Sequence, residues 1–141
     1  MKNYRWIFIC LFLLVGLNKT NAQNKSEEPI YTIVDEMPQF NGGEEGLKKY
    51  LIENIKYPNE AKKTGVEGVV YVSFYVDTDG KVKNGMVMKG VNLLLDQEAL
   101  RVVNAMPVWT PGKQDGKTVK VQYNLPIRFS LTVPDKKNKS K

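Results

Sequence analysis

The stretch Val119–Leu131, VKVQYNLPIRFSL, decides how this 141-residue chain is built. Val119, Val121, Tyr123, Leu125, Ile127, Phe129 and Leu131 are all apolar, and Lys120, Gln122, Asn124, Pro126, Arg128 and Ser130 alternate with them. A period of two over this length marks a strand with one buried face. Each fully buried side chain contributes about 1.5–3 kcal/mol, so a one-residue slip, which turns the whole apolar set to water, is prohibitive. Pro126 has no N–H to give to a ladder, and the strand is therefore expected at a sheet edge, or bulged there.

A second strand pattern lies upstream. In Val69–Val76 (VVYVSFYV) the even positions Val70, Val72, Phe74 and Val76 are apolar, while the odd ones include Tyr71, Ser73 and Tyr75. Asp77-Thr78-Asp79-Gly80 is a turn, with Gly80 free to take positive φ. The return strand is expected to place Val82, Met86 and Met88 on the buried face and Lys81, Lys83 and Lys89 outside.

Two helices complete the set. After the breaker Asn41-Gly42-Gly43, Glu44 and Glu45 suit a first helical turn, and Leu47, Tyr50, Leu51 and Ile55 form one apolar stripe. Tyr57-Pro58 ends that helix, because a residue before proline avoids the helical region. Asn59 to Thr64 allows one more turn, stopped by Gly65. Asp96 is the expected cap of the second helix, with Glu98 near its positive end. Ala99, Val102, Val103 and Met106 give its stripe, Leu100 widens it, and Pro107 stops it. Trp109–Lys117 reads as a loop, and Ile30–Phe40 as a short strand or an extended arm laid on the domain. The pattern predicts an α+β fold: two helices packed on one face of a small three-stranded antiparallel sheet.

Composition limits the chemistry. There is no histidine, and the one cysteine is Cys10. Lys2 and Arg5, the apolar run Trp6–Leu17 and Thr20-Asn21-Ala22 follow the plan of a signal peptide cut after Ala22. Twelve apolar helical residues rise about 18 Å, against about 30 Å of hydrocarbon; a short uncleaved anchor is the alternative. With the leader removed, no thiol nucleophile, disulfide or cysteine zinc site remains. The expected divisions are a leader at 1–22, a flexible lead-in at 23–35, a domain at 36–134 and a basic disordered tail at 135–141. Residues 23–134 hold 14 basic and 14 acidic side chains, so no broad positive surface is available to grip phosphates.

The remaining motifs have plain structural readings. Gly112–Thr118 (GKQDGKT) lacks the spacing of a phosphate-binding loop and leads into a strand. Asp77–Gly80 fails as a calcium loop, since its glycine and its twelfth residue, Met88, are wrong. The pairs Glu27/Glu28, Asp35/Glu36, Glu44/Glu45 and Asp77/Asp79 fall in loops and helix starts, where solvation and capping explain them. Tyr57, Tyr71, Tyr75 and Trp109 suit core or half-buried positions better than sugar stacking. No catalytic residue, metal ligand or cofactor site is expected.

In order and spacing, the residues form a longer pattern. It runs through Tyr57-Pro58-x-x-Ala61, Gly65-Val66-x-Gly68, the alternating strand to Asp79-Gly80-x-Val82, and Leu95-Asp96-x-Glu98-Ala99. It continues in Met106-Pro107-x-Trp109-x-Pro111-Gly112-Lys113 and Pro126-Ile127-x-Phe129. This string resembles the C-terminal domain of the TonB energy-transducer family. Met37-Pro38-x-Phe40-x-Gly42-Gly43 resembles the entry segment of the version common in Bacteroidetes-like bacteria. The resemblance implies a non-enzymatic periplasmic domain that binds the TonB box of outer-membrane TonB-dependent transporters by strand addition. Siderophores, glycans or vitamins are then the transported cargo, and ExbB- and ExbD-type proteins are inner-membrane partners if the leader is retained. A soluble adaptor or decoy for another envelope protein or peptidoglycan is the alternative, and exposed edges permit a strand-swapped homodimer. The sequence departs from the family plan in lacking a Pro-rich spacer and in having Asn41 where proline is more usual. The candidate peptide-binding residues are Gln122, Tyr123, Asn124, Leu125, Pro126 and Arg128 on the last strand. Tyr57 and Pro58 are added by the resemblance.

Overall fold

A computed structural model describes residues 28–132. The leader and the basic tail expected at 1–22 and 135–141 lie outside the described residues. In chain order the elements are β1 (Ile30–Tyr31), α1 (Gly43–Asn54), α2 (Asn59–Lys63), β2 (Gly68–Val76), β3 (Val82–Lys89), α3 (Leu93–Asn104), β4 (Gly112–Gln114) and β5 (Lys117–Phe129).

The architecture is α+β, and its centre is the antiparallel set β5-β2-β3. The alternation read in the last strand sets the register. Gly68 to Val76 pair one to one with Phe129 to Val121, without a shift. Val70, Val72, Phe74 and Val76 on β2, and Val121, Leu125, Ile127 and Phe129 on β5, are buried on one face. From α3, Leu95, Ala99 and Val103 pack against it, and α1 and α2 add Leu47 and Ala61. Trp109 closes the core from the connection after α3, in edge contact with Phe40 and Phe74 at 5.4 and 5.6 Å.

The structure extends the predicted set of elements. Asn59–Lys63 is a third, short helix, and two strands join the central three. β4 lies inside the segment read as the loop Trp109–Lys117 and pairs with Lys117–Val119. The turn between them is Asp115-Gly116, whose φ angles of 50° and 73° suit a tight hairpin. β1 runs parallel to β5, opposite Lys120 and Val121. The chain then turns back, and Glu36 and Gln39 bridge to Lys113 and Thr110. Ile30–Phe40 thus contains both a short strand and an extended stretch bridged to the residues around β4.

Three local readings are corrected. The first concerns β3. Met86 and Met88 are exposed, at 56% and 62%, and Val87 is the residue that packs inward beside Val82. Between the pairs Tyr75↔Lys83 and Ser73↔Met86 the β3 strand has one residue more than β2, and it has another between Val72↔Val87 and Tyr71↔Lys89. These bulges, the first at left-handed Asn84 (φ 54°), break the period of two. The second concerns α3. Its cap is Asn92, whose side chain accepts from the Leu95 amide at 3.0 Å, whereas Asp96 reaches back to the Val91 amide. The third concerns the last strand, which spans Lys117–Phe129 rather than Val119–Leu131.

Candidate functional site

β5 has two unequal halves. At Lys120 and Val121 it is flanked on its outer side by β1, and Lys117–Val119 pair with β4, so the expectation of an edge along the whole strand is corrected there. From Gln122 to Phe129, β5 pairs with β2 on one side, and no described strand lies on the other. About eight residues, roughly 26 Å of strand, form an open edge.

Pro126 tells which backbone groups that edge presents. It stands opposite Tyr71 inside a ladder without shifts. In an antiparallel pair, alternate residues direct their N–H and C=O towards the partner and away from it. A proline sits there without losing a ladder bond only when its nitrogen faces outward. By the same parity Asn124 and Arg128 aim their N–H groups outward, and the carbonyls of Asn124, Pro126 and Arg128 point the same way.

Beside this edge, on the helix side of the sheet, runs a groove of about 820 Å³. Tyr123, Leu125, Ile127 and Phe129 line it from the strand. Leu47, Leu51, Ile52 and Ile55 line it from α1. Tyr57 closes one end, its ring edge-on to Phe129 at 5.7 Å and its hydroxyl donating to the Val66 carbonyl. Burial, with the Glu67 carboxylate adding to it, holds that hydroxyl above the ordinary tyrosine range. Glu44, Lys48 and Arg128 place charge around the apolar floor. The arrangement suits an extended chain: backbone to the edge, alternate side chains into the groove.

The sequence-derived site residues separate into two groups. Tyr57, Tyr123, Leu125, Pro126 and Arg128 line the groove. Gln122 and Asn124 lie on the other face, where Gln122 donates to Ser73 Oγ at 3.0 Å. Pro58 is half-buried at the start of α2 and does not line the groove. The α1 wall was missed. Its one visible signal was Ile52, an isoleucine outside the stripe of Leu47, Tyr50, Leu51 and Ile55 that is 72% exposed in the fold. Among the described residues no group of histidine, cysteine or carboxylate side chains could hold a metal ion, and no helix is long and apolar enough to cross a membrane.

Comparison with known proteins finds a family and several similar chains. Residues 53–131 match the family described as the Gram-negative bacterial TonB protein C-terminal. Protein TonB of Vibrio cholerae is 32% identical over 77 residues, which are 54% of this chain and 31% of that protein. The solution structure of Helicobacter pylori TonB-CTD (residues 179–285) aligns with a TM-score of 0.48 and 26% identity, covering 62% of this chain and 78% of that one. That of the Pseudomonas aeruginosa TonB CTD aligns at 0.47 and 21%, covering 80% and 99%.

Proposed function

The chain belongs to the Gram-negative bacterial TonB protein C-terminal family, and from that premise we propose that it captures an extended peptide by adding it as a strand to Gln122–Phe129. The peptide is the TonB box of an outer-membrane TonB-dependent transporter, and the domain works in the periplasm. The observation that carries this reading is the coincidence of an open strand edge with an apolar groove along the same eight residues.

The energetics require both parts. The outward groups of Asn124, Pro126 and Arg128 allow about five backbone hydrogen bonds, each worth about 0.5–1.5 kcal/mol net. Association costs about 4–15 kcal/mol, so backbone pairing alone binds poorly. Apolar guest side chains lowered between α1 and β5 add about 25 cal/mol per Å² removed from water and tip the balance. Gln122 and Asn124 meet the guest's other face and contribute selectivity, and Arg128 places a charge at the groove.

Titration of the ¹⁵N-labelled protein with a TonB-box peptide tests this. Amide shifts are expected along Gln122–Phe129 and in the Leu47–Ile55 wall. Shifts confined to β3, or an absence of binding at millimolar peptide, would remove the proposal.

A further inference from the structure

The groove has one wall built into the sheet and one that is only leaned against it. Tyr123 to Phe129 are fixed by the β2 ladder. The α1 wall has no ladder, and its apolar contacts are non-directional. Among the described residues, three directional bonds run between α3 and the stretch Tyr50–Lys56, beside the one that Tyr57 makes to the Val66 carbonyl. Tyr50 Oη donates to the Val102 carbonyl at 3.1 Å. Arg101 Nη2 donates to the Asn54 carbonyl at 2.7 Å. Glu98 Oε1 accepts from the Lys56 amide at 2.6 Å.

Two of these bonds share one ion pair. Arg101 grips Glu98 through both Nε and Nη2, at 2.8 and 2.7 Å. The fork fixes the carboxylate at the Lys56 amide while its own Nη2 reaches the last carbonyl of α1. The Glu98 side chain is only 10% exposed, which is low for a carboxylate on a helix surface. Burial alone would raise its carboxyl, but the bonds from Arg101 and the Lys56 amide outweigh that and hold it below the ordinary glutamate range.

We propose that Glu98 and Arg101 are positioning residues for the groove: they pin the C-terminal end of α1 and the Ile55–Tyr57 link, and so set the gap between α1 and the open edge of β5. The inference rests on the reading of that groove as the seat of the guest's side chains. The pin touches no guest, and acts through Leu51, Ile55 and Tyr57. A released wall leaves the sheet intact and the edge exposed, but the guest must then order α1 as it binds, and its affinity falls by that amount.

Hydrogen exchange and peptide affinity on the full chain test this together. Glu98→Ala is expected to speed exchange over Tyr50–Lys56 about tenfold, to leave Val70–Val76 unchanged, and to weaken TonB-box peptide binding about tenfold. Glu98→Gln retains an acceptor for the Lys56 amide and should recover part of both effects. Arg101→Lys tests the same pin from the other side if Glu98→Ala fails to fold. Wild-type exchange over Tyr50–Lys56 in both Glu98→Ala and Arg101→Lys would overturn the inference, as would acceleration spread equally over Val70–Val76. Local acceleration with unchanged affinity would overturn the link to binding. A wild-type protein that binds no peptide would instead defeat the docking proposal, and the exchange data would still report on the pin.

Discussion

Pro126 faces Tyr71 across the β2–β5 ladder, and its nitrogen is turned to the uncovered side of the strand. A residue that interrupts sheets therefore interrupts nothing within this one. The gap in donors falls on the edge, in the middle of the stretch that a guest strand would use, and it favours registers that place no acceptor there.

Replacing Pro126 with alanine tests that orientation directly. The new amide should exchange with solvent far faster than those of Leu125 and Ile127. The extra freedom of the unfolded chain should cost about 0.4–1 kcal/mol in urea denaturation. A protected amide at residue 126 would contradict the outward parity of Asn124 and Arg128.

Ile52→Glu separates docking from folding. Ile52 is 72% exposed and lines the groove. The substitution should therefore change stability by no more than about 0.5 kcal/mol. Calorimetric titration with an apolar TonB-box peptide should show affinity reduced about tenfold, from one lost side-chain contact and a charge on the α1 wall.

Trp109 offers an optical readout. Its ring lies 5.1 Å from that of Tyr123, which lines the groove. In a Trp6→Phe background it is the sole indole. Guest binding should shift or quench its emission, and Ile52→Glu should move the midpoint of that change without altering its amplitude.

Gly80→Ala should be among the most damaging single substitutions. Gly80 has φ 81°, its carbonyl accepts the Trp109 amide at 2.8 Å, and an added Cβ would lie 2.0 Å from the Trp109 carbonyl oxygen. Backbone at that distance must move, so a loss of about 2 kcal/mol or more is expected, read as a fall in urea midpoint.

Acid should weaken the fold through Asp77 and Glu98. The bond from Lys83, then that from the Thr78 amide, holds the Asp77 carboxyl below its ordinary value. Both carboxyls are lower when folded, so the unfolded state binds more protons near pH 4. Their contribution is present above the unfolded value and is lost as pH falls through the folded one. Lys83 is raised by the same pair, so its share is lost only on the alkaline side, as pH rises through its folded value. Urea midpoints should hold from pH 7 to about 5 and drop below about 4. Asp77→Asn should flatten that drop.

The readable parts of this sequence are those where one residue type settles a local choice. The alternation from Val119 to Phe129 fixed the facing of β5, because any slip would expose the whole apolar set. Gly80 marked its turn through the φ it takes. The bulges of β3 were not read from the pattern: Asn84-Gly85 does signal a left-handed residue, but Met86 and Met88 suit a buried face as well as an exposed one and kept the period of two. Asn92 and Asp96 both have capping side chains, four residues apart, and the helix starts one turn earlier than Asp96 allows, with Leu95 buried and its amide taken by Asn92. The strand half of the groove followed from alternation. The α1 half depends on where a helix comes to rest against an edge some 75 residues further along, and the periodicity of Leu47, Tyr50, Leu51 and Ile55 shows that α1 packs without showing against what.

The two bulges of β3 have a consequence for crowding. A head-to-tail polymer needs each copy to receive a neighbour on one border and offer the other. Here the far border is kinked twice and carries Lys83 and Lys89, so it makes a poor template. Among the described residues, the second border that a head-to-tail array needs is thus a poor one.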